Sequence, residues 1–241
     1  MTRIAITHTP GDATRIAREA SASGEFDGIV ARGGDGTNHE IVAGIDRARM
    51  TFGCLPLGHG NCLARDLRLG GLDSAHGIFR YLGTCTFAVG YVAQTAVTSR
   101  RTLAQLGRGA YAVASVVTRP RPLDARLWLD EVELDASEIT GIVVNNTVHL
   151  ANFRAFANAS VDDGRLDLMG LGGGWARQIA HNASILSGIG FAGPRLLRQG
   201  ALVRLELGTP STIRLDGEIM HDIRAAEIAV LPRALRCVAA P

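Results

Sequence analysis

The chain has 241 residues, enough for one large domain or two small ones with proper cores. Its net charge of +2 is too weak to indicate nucleic-acid binding, and 46% hydrophobic residues with only 5% aromatic ones are typical of an α/β protein. The four cysteines show no metal-ligand spacing, which predicts reduced thiols. No apolar run of roughly 18 residues and no signal-peptide layout occur. We therefore expect a soluble cytoplasmic protein without a transmembrane segment, or one that visits a membrane surface.

The first third of the sequence alternates short apolar strands with helices. The predicted strands cover 3–7, 26–31 and 51–57, and the predicted helices cover 13–22, 38–47, 61–67 and 73–81. This alternation favours a doubly wound parallel sheet, with ligands bound at the carboxyl ends of the strands.

After about residue 84 the pattern changes to short strands separated by turns. The predicted elements are a helix over 102–118, a hairpin over 123–134, and strands at 139–145, 166–171, 202–207, 212–215 and 226–231. The stretch 175–186 fits either a helix or a mobile loop. We therefore predict an α/β protein whose second, C-terminal part is mostly antiparallel and β-rich.

The run Gly33-Gly34-Asp35-Gly36-Thr37 follows a predicted buried strand and opens a predicted helix. Glycines let the backbone turn sharply and bring its N–H groups close to a ligand, and the positive end of a helix dipole attracts phosphate. Thr37 and Glu40 have the spacing of a capping box. Asp35 would repel phosphate unless a cation lies between them, so Mg²⁺ is implied if phosphate binds here. The alternative is a tight turn without a ligand.

Three further motifs could carry chemistry. Gly58-His59-Gly60-Asn61 is a second glycine turn at the end of the next predicted strand. The segment 161–167 places three carboxylates in a short loop, which is either a site for a hard cation or a solvated Asp-Gly turn. Leu215-Asp216-Gly217-Glu218 offers two carboxylates at a turn, either projecting into a cleft or forming a plain hairpin.

In this order and spacing, the motifs resemble those of the diacylglycerol kinase catalytic domain superfamily, which includes bacterial diacylglycerol and lipid kinases and sphingosine kinases. The first glycine loop is also similar to that of NAD kinases and phosphofructokinases. The segments 55–65 and 157–168 resemble later motifs of the superfamily, and 215–218 matches its Leu-Asp-Gly-Glu motif outright. The sequence has His39 and His59 where the family usually has Asn and Thr.

The resemblance implies a role for each matching residue. The residues that would wrap the phosphates of ATP are Gly33, Gly34, Asp35, Gly36, Thr37, Asn38 and His39, with Thr7 near the nucleotide and Gly58 and His59 at the second loop. Asp163, with the carbonyls of Ser160 and Arg165, would hold a Mg²⁺ ion that supports the structure. Glu218 would be the proton acceptor, with Asp216 beside it and Asp35 near the catalytic metal.

The resemblance also implies an organisation and an activity. Residues 1–83 would form the nucleotide-binding domain and 84–225 the lipid-binding domain, while 226–241 would return to the first domain. The implied reaction moves the γ-phosphoryl group of ATP, with Mg²⁺, to the hydroxyl of diacylglycerol or a related lipid at a membrane surface. The alternative is a catalytically degenerate relative that binds nucleotide or lipid and regulates a partner. The later motifs disfavour an NAD kinase. The lipid's identity and the oligomeric state, a homodimer included, are left open.

Overall fold

The computed structural model describes residues 2–56, 63–64, 67, 78–81, 86–101, 110–150, 153–187, 193–215, 218–232 and 234–238. Its first elements are α1 (Asp12–Ser23), β1 (Gly28–Gly33), α2 (Asp35–Gly44), β2 (Thr51–Pro56), β3 (Ile78–Tyr81), β4 (Thr86–Gly90), α3 (Tyr91–Arg101) and α4 (Ala110–Val117). They are followed by β5 (Ala125–Leu129), β6 (Val132–Leu134), β7 (Ile139–Asn145), β8 (His149–Leu150), β9 (Phe153–Arg154), β10 (Leu166–Gly172), α5 (Trp175–Ser187), β11 (Leu196–Gly200), β12 (Leu202–Leu215), β13 (Glu218–Ala229) and β14 (Leu235–Val238).

The first sheet takes its strands from both ends of the chain, in the order β1-β2-β14-β3. Strands β1, β2 and β14 run parallel, and β3 pairs antiparallel with β14. Helices α1 and α2 pack against each other and on this sheet, over a core that contains Ile41, Phe52 and Leu235. Gly44 permits the close helix contact, because a Cβ atom there would lie 2.3 Å from the Thr14 carbonyl oxygen.

The second sheet is larger and antiparallel, with the order β11-β10-β7-β4-β12-β5-β6 and β13 paired to β12. One face of it buries side chains such as Val89, Ile142 and Leu168. The other face packs Ala88, Val143 and Met169 against Tyr91 of α3. The predicted fold class, a parallel sheet followed by a mostly antiparallel β-rich part, is therefore confirmed.

Several predicted elements have different bounds in the structure. Residues 78–81 form β3 rather than the end of a helix, because they pair with β14. The predicted strands 202–207 and 212–215 are one strand with register shifts, and 226–229 belongs to the longer β13. Helix α3 was not predicted, while α4 falls within the predicted helix 102–118, of which 102–109 lies outside the described residues.

The predicted strand over residues 3–7 is wrong. Residues 2–8 have no regular secondary structure, and Ile4 and Ile6 are 88% and 71% exposed. A strand requires a neighbouring backbone for its hydrogen bonds, and no described strand pairs with this segment. The carboxylate of Asp12 instead accepts hydrogen bonds from the backbone N–H groups of His8 and Thr9 at the start of α1.

The predicted capping box of Thr37 and Glu40 is also wrong. Helix α2 begins at Asp35, two residues before Thr37, and its N-cap is Gly34, which has no side chain to accept a hydrogen bond. The carboxylate of Glu40 accepts a hydrogen bond from the backbone N–H of Ala13, at 3.1 Å, in the first turn of α1. Glu40 thus accepts a hydrogen bond from the first turn of α1, and it does not cap the start of its own helix, α2.

Candidate active site

The first glycine loop joins the carboxyl end of β1 to the amino end of α2. Gly34 is in an extended conformation, and the Asn38 N–H donates to its carbonyl oxygen at 3.1 Å. Because no side chain of the N-cap satisfies the first-turn N–H groups, the positive end of the helix is open to an anion. The strand, glycine turn and helix start follow one another as the sequence predicted, and phosphate binding at this loop stays a prediction.

The glycines of this loop have different surroundings. A Cβ atom on Gly33 would lie 2.6 Å from Oγ1 and 2.8 Å from Cβ of Thr37, so the backbone passes close to that side chain. A Cβ atom on Gly36 would meet nothing within 4 Å. The loop is therefore tightly packed at Gly33 and open at Gly36, which leaves room beside the first turn of α2.

Asp35 lies near the carboxyl ends of the two parallel strands β1 and β2. Its Oδ1 atom is buried. Burial, together with the nearby negative charge of Asp35, raises the pKa of the Cys54 thiol in β2 to about 12. A carboxylate held at the edge where strands end is the type of ligand that Mg²⁺ prefers in proteins.

Asn38 and His39, which the sequence assigned to the same loop, lie in different environments. Asn38 is buried in α2, and its Oδ1 atom has no hydrogen-bond partner among the described residues. His39 lines a cleft of about 290 Å³ between α2 and the second sheet. The structure therefore brings only His39 of this pair to the space between the two sheets.

The cleft joins residues that are distant in the sequence. Its walls are His39, Val42, Ala43, Ile45 and Arg47 on the side of α2, and Asn146, Leu166 and residues 228–231 on the side of the second sheet. Asn146 is buried, and its Oδ1 atom has no hydrogen-bond partner within the described part of the chain. A buried polar atom at a cleft wall is suited to bind a polar ligand group.

A hydrogen-bond network fixes the turn that carries Asn146. The Oγ1 atom of Thr86 donates to Oδ1 of Asn145 at 2.6 Å. The amide nitrogen of Asn145 donates to the carbonyl oxygen of Thr147 and to the carbonyl oxygen of His149. Neither Asn145 nor Asn146 was predicted from the sequence as a site residue. The signal was present, since these adjacent polar residues end a strand, β7, that is buried along its whole length.

The loop predicted to hold a structural Mg²⁺ forms a turn stabilised by its own side chains. The Oδ1 atom of Asp163 accepts a hydrogen bond from the backbone N–H of Arg165 at 2.8 Å, and Gly164 has a φ of 71°. The Ser160 hydroxyl donates to Asp162 at 2.5 Å. In the described part of the chain, no three His, Cys, Asp or Glu residues cluster as metal ligands. The loop therefore offers two exposed carboxylates, Asp162 and Asp163, each of which already accepts one hydrogen bond within the turn.

Asp167, at the start of β10, is a buried carboxyl group near this loop. Its Oδ1 atom accepts a hydrogen bond from the Gln199 side chain at 2.9 Å. Burial raises the pKa of Asp167 to about 6, against the lowering effect of the Gln199 hydrogen bond and with a further raising effect from Asp163. The loop and the strand after it are therefore electrostatically linked.

The Leu-Asp-Gly-Glu motif joins β12 to β13. Asp216 lies outside the described residues, as do Gly58 and His59 of the second loop. The backbone of Glu218 begins β13 and pairs with Leu215. Leu215 pairs in turn with Phe87 of β4, and Phe87 with Val144 of β7, next to Asn145. Glu218 therefore begins its strand at the end of the sheet where β7 reaches Asn145. Thr7, by contrast, lies in the exposed segment before α1.

The fold is similar to one seen in a crystal structure. The structure of a diacylglycerol kinase from Bacillus anthracis str. Sterne superimposes with a TM-score of 0.77, covering 98% of this chain and 84% of that chain. The two sequences are 20% identical, so this likeness concerns the fold alone.

Sequence comparisons give the family. The model of the diacylglycerol kinase catalytic domain matches residues 1–85. A protein named "Diacylglycerol kinase" from Bacillus subtilis (strain 168) is 32% identical over 185 residues, which are 68% of this chain and 60% of that protein. A protein named "Probable lipid kinase YegS-like" from Chromohalobacter salexigens is 43% identical over 70 residues, 27% of this chain and 22% of that protein.

The family model thus matches the part of the chain that contains the first glycine loop, and the resemblance predicted from the sequence is confirmed. The chain spans 60% of the length of the Bacillus subtilis relative and 22% of that of the Chromohalobacter salexigens relative. None of the helices in the described ranges has the length and apolar character needed to cross a bilayer.

Proposed function

We propose that this protein is an ATP-dependent lipid kinase that transfers the γ-phosphoryl group of ATP to the hydroxyl group of diacylglycerol or a related lipid. The observation that carries the proposal is the uncapped start of α2 after a glycine loop, with Asp35 beside it, next to a cleft shared with the β-rich sheet. The names of the relatives, diacylglycerol kinase and lipid kinase, support the same substrate class.

The glycine loop would bind the phosphates of ATP through backbone N–H groups. The uncapped first turn of α2 and the open space at Gly36 fit a phosphate group. The same role extends to Gly33, Gly34, Thr37, Asn38 and His39, with Thr7, Gly58 and His59 as further contacts. Phosphoryl transfer depends mainly on positioning and on charge neutralisation, which a Mg²⁺ ion held by Asp35 supplies when it is bound.

Glu218 would accept the proton of the lipid hydroxyl, and Asp216 would position it. A positioned base contributes roughly 10²–10⁴-fold to the rate. Asp163, with the carbonyl groups of Ser160 and Arg165, would hold a second Mg²⁺ that stabilises the loop before β10. Its exposed carboxylate and the neighbouring carbonyls are oxygen ligands of the kind this ion takes.

We divide the chain functionally at residues 83 and 225. Residues 1–83 would bind the nucleotide, and 84–225 the lipid. Residues 226–241 would return to the first part, which is supported by the position of β14 between β2 and β3. The protein would act in the cytoplasm and associate peripherally with the membrane that contains its substrate.

The test is transfer of radiolabel from γ-labelled ATP to a panel of diacylglycerols, sphingoid bases and other hydroxyl-bearing lipids, together with melting curves in Mg-ATP. We expect a labelled phospholipid product that requires Mg²⁺, and an increase in Tm with Mg-ATP because ligands that bind the native state stabilise it. Labelling of NAD instead of lipid would contradict the proposal. Stabilisation by Mg-ATP without any labelled lipid would favour the catalytically degenerate relative.

A further inference from the structure

Helix α4 is apolar on both of its faces. Its sequence, Ala-Tyr-Ala-Val-Ala-Ser-Val-Val, contains no charged residue. Ala110, Ala114 and Ser115 are buried against the protein, but Val113, Val116 and Val117 are 40%, 44% and 58% exposed. Residues three and four apart share one side of a helix, so these valines form one outward surface. A helix that is apolar all round is normally covered on both sides.

Trp175, the first residue of α5, extends this surface. Its side chain is 49% exposed, and its indole N–H donates to the carbonyl oxygen of Val116 at 2.8 Å. The one polar atom of the ring is therefore satisfied within the protein, while the ring itself remains accessible. We call Val113, Val116, Val117 and Trp175 the valine–tryptophan face.

The scaffold holds this face in place. The hydroxyl of Tyr91, at the start of α3, donates a hydrogen bond to the carbonyl oxygen of Ser115. Gln178 of α5 is buried and donates to the carbonyl oxygen of Gly172 at 3.0 Å. The Tyr91 hydrogen bond thus holds α4 against α3, and the Gln178 hydrogen bond holds α5 against β10, so the residues of the face are already held together in the folded protein.

The charged residues that directly follow α4 and begin α5 are all arginines. The sequence has no Asp or Glu from residue 74 to 123, nor from 168 to 205. Arg119 and Arg121 follow α4 directly and are exposed, as is Arg177 in the first turn of α5. On the neighbouring turn before β7, Asp135 and Glu138 carry negative charge, but both face Arg195 in ion pairs. The valine–tryptophan face is therefore bordered by arginines.

We propose that the valine–tryptophan face docks the protein on an anionic lipid bilayer. Aliphatic side chains and a half-exposed Trp would enter the interfacial region of the bilayer, where Trp is favoured, and the arginines would contact anionic headgroups. The proposal rests on the proposed function only in that a lipid substrate requires contact with a membrane. Docking itself requires neither ATP nor catalysis.

A second copy of the chain fits this face less well than a bilayer does. Two copies packed through it would bring together two surfaces that both carry arginines at their border, and like charges oppose association. Four apolar side chains are also few for a stable dimer, which buries about 800 Å² on each partner. An anionic bilayer, in contrast, complements both the apolar surface and its basic border.

Trp175 can report on docking directly, because the chain has only two tryptophans. The other, Trp128, lies in β5 with the Arg126 guanidinium 4.6 Å from its ring centre. A Trp128→Phe variant leaves Trp175 as the sole reporter. We expect vesicles of phosphatidylcholine and phosphatidylglycerol to shift its emission to the blue, and acyl-chain-brominated phosphatidylcholine within them to quench it. Vesicles of phosphatidylcholine alone should have much smaller effects, and added salt should weaken the response.

Co-sedimentation with the anionic vesicles measures binding by variants of the face and by matched controls, which shows whether the face is the part that binds. Val113→Gln/Val117→Gln should weaken binding without weakening α4, because Gln has the higher helix propensity. Its control is Val132→Gln, at an exposed valine of the β5–β6 hairpin.

Arg119→Gln/Arg121→Gln should weaken binding about fivefold for each arginine removed. Its control is Arg18→Gln/Arg198→Gln, at exposed arginines elsewhere.

Three results would overturn the proposal. One is unchanged Trp175 emission with anionic vesicles; another is an equal loss of binding in the face variants and their controls. The third is a dimer in solution that Val113→Gln/Val117→Gln dissociates, which would show that a second copy covers the face.

Phosphorylation of lipid dispersed in detergent micelles distinguishes a failure of membrane docking from a failure of the proposed function, because it requires the active site but no bilayer. Vesicle binding without ATP requires the face but no catalysis.

Discussion

Gly33 is closely packed and Gly36 has open space beside it, so substitution of each by alanine should change stability differently. Gly33→Ala should lower the free energy of unfolding by about 1–3 kcal/mol, because its Cβ atom would overlap Thr37. Gly36→Ala should leave stability unchanged or raise it by up to about 1 kcal/mol, because Ala is the better helix former. Denaturant titration measures both changes.

The affinity for Mg-ATP should fall in Gly36→Ala, although this variant keeps its stability. In Gly36→Ala the methyl group would enter the open space beside the first turn of α2, so calorimetry should show weakened binding in a fully stable protein. Unchanged affinity in this variant would mean that the phosphates do not occupy that space.

Asp12 gives the segment before α1 a pH dependence. Hydrogen bonds from the backbone N–H groups of His8 and Thr9, and from Arg15, lower the pKa of Asp12 from 3.8 to about 2. A carboxyl group with a lowered native-state pKa stabilises the protein above its unfolded-state pKa and loses this effect as the pH falls. The Tm difference between the wild type and Asp12→Asn should therefore be full above about pH 5 and vanish only towards about pH 1, below the native-state pKa. A difference of undiminished size near pH 1 would exclude the charge of Asp12 as its cause.

At the scale of elements, Glu40 connects α1 to α2. Its carboxylate accepts from the Ala13 N–H, and its carbonyl oxygen accepts from the Thr14 hydroxyl at 2.9 Å. Glu40→Ala should lower the free energy of unfolding by about 1 kcal/mol, as the loss of a helix N-terminal hydrogen bond does. The control is Glu19→Ala, which removes an exposed ion pair with Arg15 and should cost only a few tenths of that. Equal effects of the two substitutions would refute the bridging role of Glu40.

The elements that the sequence predicted well are those determined locally. The β1–loop–α2 unit and the β5–β6 hairpin follow from glycines, apolar runs and turn residues that are adjacent in the chain. The capping signature failed because Thr37 and Glu40 fit one helix by spacing, while Glu40 contacts another helix in three dimensions. Likewise, 78–81 became a strand only because β14, more than 150 residues later, provides its partner.

At the scale of the whole molecule, the candidate site depends on the cleft between the two sheets. The sequence could predict Asp35 and His39, because the loop motif carries them. It could not predict that Asn146 faces the same space, because residues from α2, the turn after β7, β10 and the end of β13 form the walls only after folding. In the proposed function, the first loop with Asp35 binds the phosphates and the metal ion, and Glu218 accepts the proton of the lipid hydroxyl.

The rate of Mg-ATP-dependent lipid phosphorylation tests these two roles most directly. It is measured in Asp35→Ala and Glu218→Ala, with Glu227→Ala as a control. Glu227 is an exposed carboxylate on the same strand as Glu218, paired with Arg204. We predict that Glu218→Ala lowers the rate roughly 10²–10⁴-fold, that Asp35→Ala abolishes transfer, and that both proteins melt cooperatively like the wild type and Glu227→Ala. Turnover in either site variant equal to that of the wild type would contradict the account.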